Sequence, residues 1–128
     1  MKYEFTGQTK SFYGVTVRQI KRISDGVIGG WIESEKNLDQ DGKCFVYGNA
    51  VVSDDASVSG NAEVSDNAWV SGNAMVYDNA EVSDNAWVYD DAKVSGDASV
   101  SGNAEVSGDA EVSGDAVITD WQYSIYSL

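Results

Sequence analysis

The chain of 128 residues contains no proline, no histidine and a single cysteine. One thiol cannot form an internal disulfide, and it falls far short of the three protein ligands that a catalytic zinc normally takes. No apolar run approaches the roughly 20 residues of a membrane-spanning helix, and the N-terminal residues lack the apolar segment of a signal peptide. These absences argue against a zinc enzyme, a disulfide scaffold and a membrane protein, and they favour a cytoplasmic location.

Basic residues are almost missing from the second part of the chain. Residues 1–43 hold seven basic and six acidic side chains, whereas residues 44–128 hold fifteen acidic ones and one basic one, Lys93. Such a strongly acidic segment should not bind nucleic acid directly, because its charge has the same sign as the phosphate backbone.

What the chain has in abundance is a six-residue repeat. An aliphatic residue stands at every sixth position from Val46 to Ile118, and a small residue, Cys or Ala, precedes each one by two positions. A strict period of six does not fit an amphipathic helix. Within a hexad, small, polar, aliphatic and polar residues alternate as in a short strand, and residues such as Asp66 and Asn67 then form a turn. A fixed short period of this kind predicts a solenoid.

Three hexads would make one three-sided coil of about 18 residues that rises by about 4.8 Å. The hexad Val-Ser-Gly-Asn-Ala-Glu at residues 100–105 is typical, and the array resembles the left-handed β-helix of hexapeptide-repeat proteins. The Gly29–Glu33 box, Gly-Gly-Trp-Ile-Glu, resembles small phage and prophage repeat proteins, most of which have no assigned activity. The resemblance implies a triangular, left-handed coil and, for a phage product, the host cytosol. Hexapeptide-repeat acyltransferases and carbonic anhydrases depend on histidine, which this chain lacks.

We therefore predict one all-β domain, a triangular parallel β-helix with a cap at each end. Residues 1–43 are the non-repeating N-terminal cap with a ragged first coil, residues 44–119 are the hexapeptide-repeat β-solenoid, and residues 120–128 are a short C-terminal cap. In the last segment Ser124 occupies the position where the six-residue count requires valine.

Three details of the first 44 residues follow from local patterns. Alternating apolar residues predict two strands joined through Gly7, followed by a turn at Asp25–Gly26. The spacing from Leu38 to the first regular valine is eight instead of six, which predicts a two-residue bulged loop within 39–43. Cys44 occupies the small inward position of the first hexad and should be a buried structural thiol.

Acidity is the main functional clue. The array carries a net negative charge about every 1.5 Å of its axis if each coil rises about 4.8 Å, which is close to the value of about one per 1.7 Å for duplex DNA. Two interpretations remain open. Aspartate is a good turn residue that also keeps a rod soluble, or the acidic corners imitate nucleic acid and occupy a basic groove of a protein partner. The second interpretation assigns partner binding to Asp54, Asp55, Asp66, Asp78, Asp84, Asp90 and Asp91.

Aromatic residues are the second clue. An 18-residue coil places Trp69 directly below Trp87 on an outer face, with Tyr89 beside Trp87 and with Met75 and Tyr77 on the neighbouring face. Contiguous exposed aromatics mark an interface. The surface could contact another copy of the chain, a foreign partner or the N-terminal segment. The candidate residues are Trp69, Met75, Tyr77, Trp87 and Tyr89.

Together these features predict a non-catalytic acidic binding protein, phage- or prophage-encoded, that could inhibit a host defence or nucleic-acid-binding protein by mimicking nucleic acid. We assign no catalytic, metal-binding or cofactor-binding residue, because the carboxylate pairs lie at exposed corners with no predicted pocket. The alternative is a structural spacer or self-assembling component of a virion or scaffold, without a foreign partner.

Overall fold

The computed structural model of the protein describes residues 1–119 and 122–124. Within these residues there is no α-helix, and the only helical segment is a single 3₁₀ turn at Glu35–Asn37. Three longer strands come first, β1 (Tyr3–Phe12), β2 (Val15–Arg22) and β3 (Ile28–Ile32). Fourteen short strands then follow at corner-to-corner spacing: β4 (Phe45–Val46), β5 (Val51–Val52), β6 (Ser57–Val58), β7 (Glu63–Val64), β8 (Trp69–Val70), β9 (Met75–Val76), β10 (Glu81–Val82), β11 (Trp87–Val88), β12 (Lys93–Val94), β13 (Ser99–Val100), β14 (Glu105–Ser107), β15 (Glu111–Val112), β16 (Val117–Ile118) and β17 (Gln122–Ser124).

The short strands wind into a three-sided β-solenoid, as the repeat predicts. Successive strands lie in three different parallel sheets, with the orders β3-β5-β8-β11-β14-β17, β4-β7-β10-β13-β16 and β6-β9-β12-β15. Within each sheet the partner lies one coil away, so that Val52 pairs with Val70 and Val70 with Val88. This register confirms a coil of about 18 residues.

The interior is a stack of the two inward positions of every hexad. The alanines and valines from Ala50 to Val112 that occupy these positions are buried, and Cys44 is buried at the first small position, as expected. Each buried valine contributes about 2 kcal/mol of gross transfer free energy. Since a coil buries its apolar side only against its neighbours, stability comes from stacking.

Each corner needs one residue with a left-handed backbone. The φ angle is 65° at Gly60, 58° at Asp66 and 62° at Gly72, and the same position holds Gly or Asp at every other regular corner. Gly lacks the Cβ that makes this conformation costly, and Asp tolerates it better than most residues. The amide of the following alanine closes the turn, as in Ala68 N–H to the Ser65 carbonyl at 3.2 Å.

The N-terminal cap is a β-hairpin that extends one of the three sheets. Strand β1 pairs antiparallel with β2, β2 pairs antiparallel with β3, and β3 pairs parallel with β5. The prediction of two strands joined at Gly7 was wrong. Gly7 (φ 97°) lies inside β1 at a bulge between Phe5 and Thr9, and the hairpin turn is at Tyr13–Gly14. The expected turn at Asp25–Gly26 is present, with Gly26 N–H bonded to the Arg22 carbonyl at 2.8 Å.

The ragged first coil contains the expected insertion. Trp31 pairs with Val51 and Leu38 with Val58, both 20 residues on, whereas Phe45 pairs with Glu63 at the regular 18. The two additional residues therefore lie between Leu38 and Phe45.

A buried tyrosine fastens the cap to this coil. The Tyr3 hydroxyl donates to the Leu38 carbonyl at 2.7 Å, and the Tyr3 side chain is fully buried. Burial, followed by the nearby Glu35 charge, raises the pKa of Tyr3 to about 12. The hydroxyl therefore stays a donor well into the alkaline range.

The C-terminal end departs from the six-residue count. Strand β17 pairs with β14 so that Tyr123, not Ser124, lies opposite Val106. The six-residue pattern therefore ends after Ile118, as the sequence indicates, since five positions and not six separate Ile118 from the residue paired with the next valine. Asp120, Trp121 and 125–128 lie outside the described residues, as do the side chains of 122–124, so that the C-terminal cap and the domain boundaries at 43/44 and 119/120 stay predictions.

Candidate interaction surfaces

Trp69 and Trp87 stack on one outer face, as the register predicts. Their ring centroids are 4.8 Å apart and the rings are parallel to within 1°. Tyr89 continues the stack, with its ring centroid 4.1 Å from that of Trp87 and an interplanar angle of 29°. Both tryptophans are half-buried.

A serine sixteen residues earlier holds each indole in place. Trp69 Nε1–H donates to Ser53 Oγ at 3.0 Å, and Trp87 Nε1–H donates to Ser71 Oγ at 3.1 Å. Both serines are buried beneath the rings. The indole N–H can only donate a hydrogen bond. Its need for an acceptor explains why positions 53 and 71 hold serine, whose hydroxyl oxygen accepts this bond.

The tip of the N-terminal hairpin reaches across to this stack. Tyr13 stacks on Trp69 with centroids 5.3 Å apart and an angle of 11°, and Phe12 contacts Trp69 edge-on at 4.9 Å. The sequence left three possible contacts for the aromatic surface: another copy of the chain, a foreign partner or the N-terminal segment. For Trp69 the structure shows contact with the N-terminal segment. The sequence does not indicate Phe12 and Tyr13 as members of this surface, because no periodic signal links residue 13 to residue 69.

An open groove of about 560 Å³ lies between the hairpin tip and the stack. We call it the tip groove. Its walls are the aromatic rings, and its floor includes two asparagines of one corner. The lining residues are Phe12, Tyr13, Asn67, Trp69, Asn85, Ala86 and Trp87.

Met75 and Tyr77 do not belong to this groove. Met75 begins β9, whose sheet partners are β6 and β12, so it lies on a different side of the coil beside Lys93. Met75 is 39% exposed. Trp69, Trp87 and Tyr89 therefore form one cluster, and Met75 and Tyr77 lie apart from it.

Five of the seven candidate aspartates stand in the left-handed corner position and have a structural task. Each uses one carboxylate oxygen to accept the backbone N–H of the same corner one coil later. The distances are Asp54 to Gly72 3.0 Å, Asp66 to Asp84 3.2 Å, Asp78 to Gly96 3.0 Å, Asp84 to Gly102 2.9 Å and Asp90 to Gly108 3.1 Å. A corner N–H that would otherwise face water is thereby bonded.

Asp55 and Asp91 stand one position later and have other partners. Asp55 forms an ion pair with Lys36, and the hydrogen bond to Asp55 raises the pKa of Lys36. Asp91 accepts a hydrogen bond from the Asn73 amide at 3.2 Å. The Asn61 amide donates in the same way to Asn79 at 3.0 Å, so ladders of this kind connect consecutive coils.

The seven aspartates are spread over all three corners and do not form one surface. The corner after β5 and β11 carries Asp54, Asp55, Asp90 and Asp91, the corner after β7 and β10 carries Asp66 and Asp84, and the corner after β9 carries Asp78. Their carboxylates are exposed.

A more coherent acidic surface lies on the sheet that contains β7 and β10. Glu63 and Glu81 are exposed and lie side by side in register on these strands. Asp66, Asp78 and Asp84 stand at the corners that border this sheet. We call these five residues the acidic face. Residues 44–92 contain no Lys or Arg, so this part of the array has no basic residue of its own. The sequence register alone could have found this face.

No group of three or more Cys, Asp or Glu side chains is arranged to hold a metal ion in the part of the chain that the structure describes. The same residues include no helix that is long and apolar enough to cross a bilayer.

Comparison with known families agrees with the fold. Residues 45–60 and 68–84 match the YdcK beta solenoid repeat family. The matched segments cover about a quarter of the chain, and they show a repeat β-helix protein. No curated protein matches the sequence.

Proposed function

We propose that the protein is a non-catalytic acidic binding protein that presents a rigid polyanionic surface to a basic groove of another protein. The observation that carries this proposal is the acidic face. Its Glu63 and Glu81 carboxylates lie on adjacent coils, and among the described residues neither has a hydrogen-bond or ion-pair partner. Unlike the corner aspartates, they have no structural task that would account for their charge.

A stacked coil suits a mimic of nucleic acid. Charges on a rigid β-solenoid repeat at a fixed spacing of about 4.8 Å along the axis. A fixed array lowers the entropy cost of binding. The resemblance of the Gly29–Glu33 box to small repeat proteins of phages and prophages supports a phage-encoded inhibitor of a host defence or nucleic-acid-binding protein, acting in the host cytosol.

The test is retention of proteins from a bacterial lysate on the immobilised chain at two salt concentrations. We expect a basic protein to be retained at about 0.05 M salt and released at about 0.5 M, because screening shortens the range of surface electrostatics. The Glu63→Gln/Glu81→Gln variant should retain less of it. The matched control is Asp55→Asn/Asp91→Asn, which removes two charges elsewhere and should retain the protein. An empty eluate from the unchanged chain at low salt contradicts the proposal.

A structural role is the second candidate, because an aromatic cluster remains partly exposed. Trp87 and Tyr89 are half-buried, and Tyr13 is 81% exposed. A self-assembling spacer would use these rings to join copies. Sedimentation of the unchanged chain beside Trp69→Ser/Trp87→Ser distinguishes the two, since assembly that is lost in the variant favours the spacer and an unchanged chain that is monomeric at high concentration excludes it.

A further inference from the structure

We infer that the tip groove is the place where an arginine side chain of the partner docks. This inference rests on the proposed function, because it takes the partner to be basic. It adds the specific residue type and the specific site, which lies on the aromatic sheet and borders the acidic face at the corner of Asp66 and Asp84.

Tyr13 is the first reason. It stands with Gly14 in a two-residue hairpin turn in which both residues have positive φ, 49° and 83°. Such turns favour Asn-Gly, and a bulky residue in the first position is locally strained. One face of the Tyr13 ring lies on Trp69, yet 81% of the residue is exposed. An aromatic ring thus occupies an unfavourable backbone position and presents its other face to solvent.

The chain's own cations show what its aromatic rings accept. The Lys10 ammonium lies 4.5 Å from the centroid of the Trp31 ring, which is lower on the same sheet. The Arg18 guanidinium lies 5.4 Å from the Phe5 ring and that of Arg22 lies 4.9 Å from the Phe45 ring. Of the rings that line the groove, Phe12 has the Lys10 ammonium 5.9 Å from its centroid, whereas Tyr13, Trp69 and Trp87 have no such cation among the described residues.

Charge around the groove favours the same occupant. Asn67 and Asn85 line it, and each directly follows a corner aspartate, Asp66 and Asp84. Both carboxylates are exposed, and each uses one oxygen for a backbone N–H. A planar guanidinium can stack on an aromatic ring and donate to a carboxylate or amide oxygen at the same time, which a lysine ammonium does less well. A nucleobase, which also stacks, would bring a phosphate of the wrong sign.

The experiment is a titration of ¹⁵N-labelled protein with the peptide acetyl-Gly-Arg-Gly-Arg-Gly-amide. We expect saturable shifts of the indole N–H signals of Trp69 and Trp87, and no shift with the glutamate version of the peptide. Tyr13→Asn should weaken binding about fivefold, the equivalent of one exposed cation–π contact. This variant should remain folded, because Asn-Gly suits the turn. Asp84→Asn should weaken binding about threefold.

Two matched variants separate the groove from general charge attraction. Asp90→Asn removes a corner carboxylate that has the same backbone role on another corner and lies outside the acidic face, and Tyr77→Ser removes a ring on another side of the coil. Both should bind the peptide like the unchanged chain. The inference would be overturned if all four variants weakened peptide binding equally. It would also be overturned if the indole signals showed no saturable shift, or if they shifted with the protein concentration and not with the peptide concentration. If the chain retains a basic lysate protein but the peptide causes no chemical-shift change, only the inference about the groove is overturned. If the lysate experiment gives an empty eluate, the proposed function itself is overturned.

Discussion

The contacts of the repeat array are periodic and those of the N-terminal hairpin are not, although both contribute strands to one sheet. In the array every residue meets its counterpart one coil away, so a single number, the length of the coil, determines all the neighbours of Trp69 within the array. In the hairpin the contacts are individual: Tyr3 with Leu38, Lys10 with Trp31, Tyr13 with Trp69. Periodic contacts can be derived by counting, and individual ones cannot.

The largest expected effect tests the array. Val76→Asp places a carboxylate in the fully buried stack, where an unpaired charge costs several kcal/mol. Because each coil is stabilised by the next, we expect loss of the cooperative unfolding transition in circular dichroism. The neighbouring change Met75→Asp, at an exposed outward position, should leave the transition within about 0.5 kcal/mol. A folded Val76→Asp protein would contradict the packed interior.

The next effect tests the junction between the two regions. Trp69 contacts Tyr13, Phe12 and Trp87, whereas Trp87 contacts Trp69 and Tyr89. With about 0.5–1.5 kcal/mol for each aromatic pair, Trp69→Ser should lower the free energy of unfolding by about 1 kcal/mol more than Trp87→Ser.

Hydrogen exchange provides the sharper readout for that pair. Only Trp69→Ser should speed exchange of the amides of β1 and β2, because only it releases the hairpin tip. Equal protection of the hairpin in both variants would mean that the tip is held by something other than Trp69.

A smaller effect tests the corners. Asp84→Ala loses both the tolerance for positive φ and the acceptor for Gly102 N–H, and should cost about 1–2 kcal/mol. Asp84→Gly keeps the backbone and loses the acceptor, and Asp84→Asn keeps much of both. Thermal unfolding should therefore rank the variants Ala, Gly, Asn in rising stability. A different order would show that the carboxylate is not a structural acceptor.

The smallest effect concerns the cap at high pH. The pKa of Tyr3 is raised by folding from 10.0 to about 12, so the folded protein holds this proton more tightly than the unfolded chain. The resulting stability is complete below pH 10 and is lost as the pH rises towards 12. Urea unfolding at pH 9 and pH 11 should show the loss, and Tyr3→Phe should show less of it. An equal loss in the variant would assign it to other groups.

The array shows what the sequence could predict. The stacking of Trp69 on Trp87, the burial of Cys44 and the two-residue insertion before Phe45 all follow from counting in sixes, because parallel in-register strands leave no other freedom. The count in sixes holds up to Ile118 and ends there, since Tyr123 and not Ser124 lies opposite Val106.

The hairpin shows what it could not. The sequence predicts a junction between two strands at Gly7 because glycine often marks a turn, yet the chain uses it for a bulge inside a ten-residue strand. The true turn contains Tyr13, a residue that local preference disfavours there. The docking of its ring on Trp69 joins residues 56 apart, a contact for which the sequence carries no periodic signal. The corner positions of these aspartates follow from the repeat, but no sequence signal indicates their hydrogen bonds to the next coil.

Disulfide trapping tests the central register most directly. In a Cys44→Ala background, Glu63→Cys/Glu81→Cys places two thiols on neighbouring in-register strands, which lie about 4.8 Å apart, within the range for a disulfide. We expect rapid intramolecular crosslinking of this pair under mild oxidation, and none for Glu63→Cys/Met75→Cys, whose residues lie on different sides of the coil. Crosslinking of the second pair without the first would contradict a coil of 18 residues, and with it both interaction surfaces.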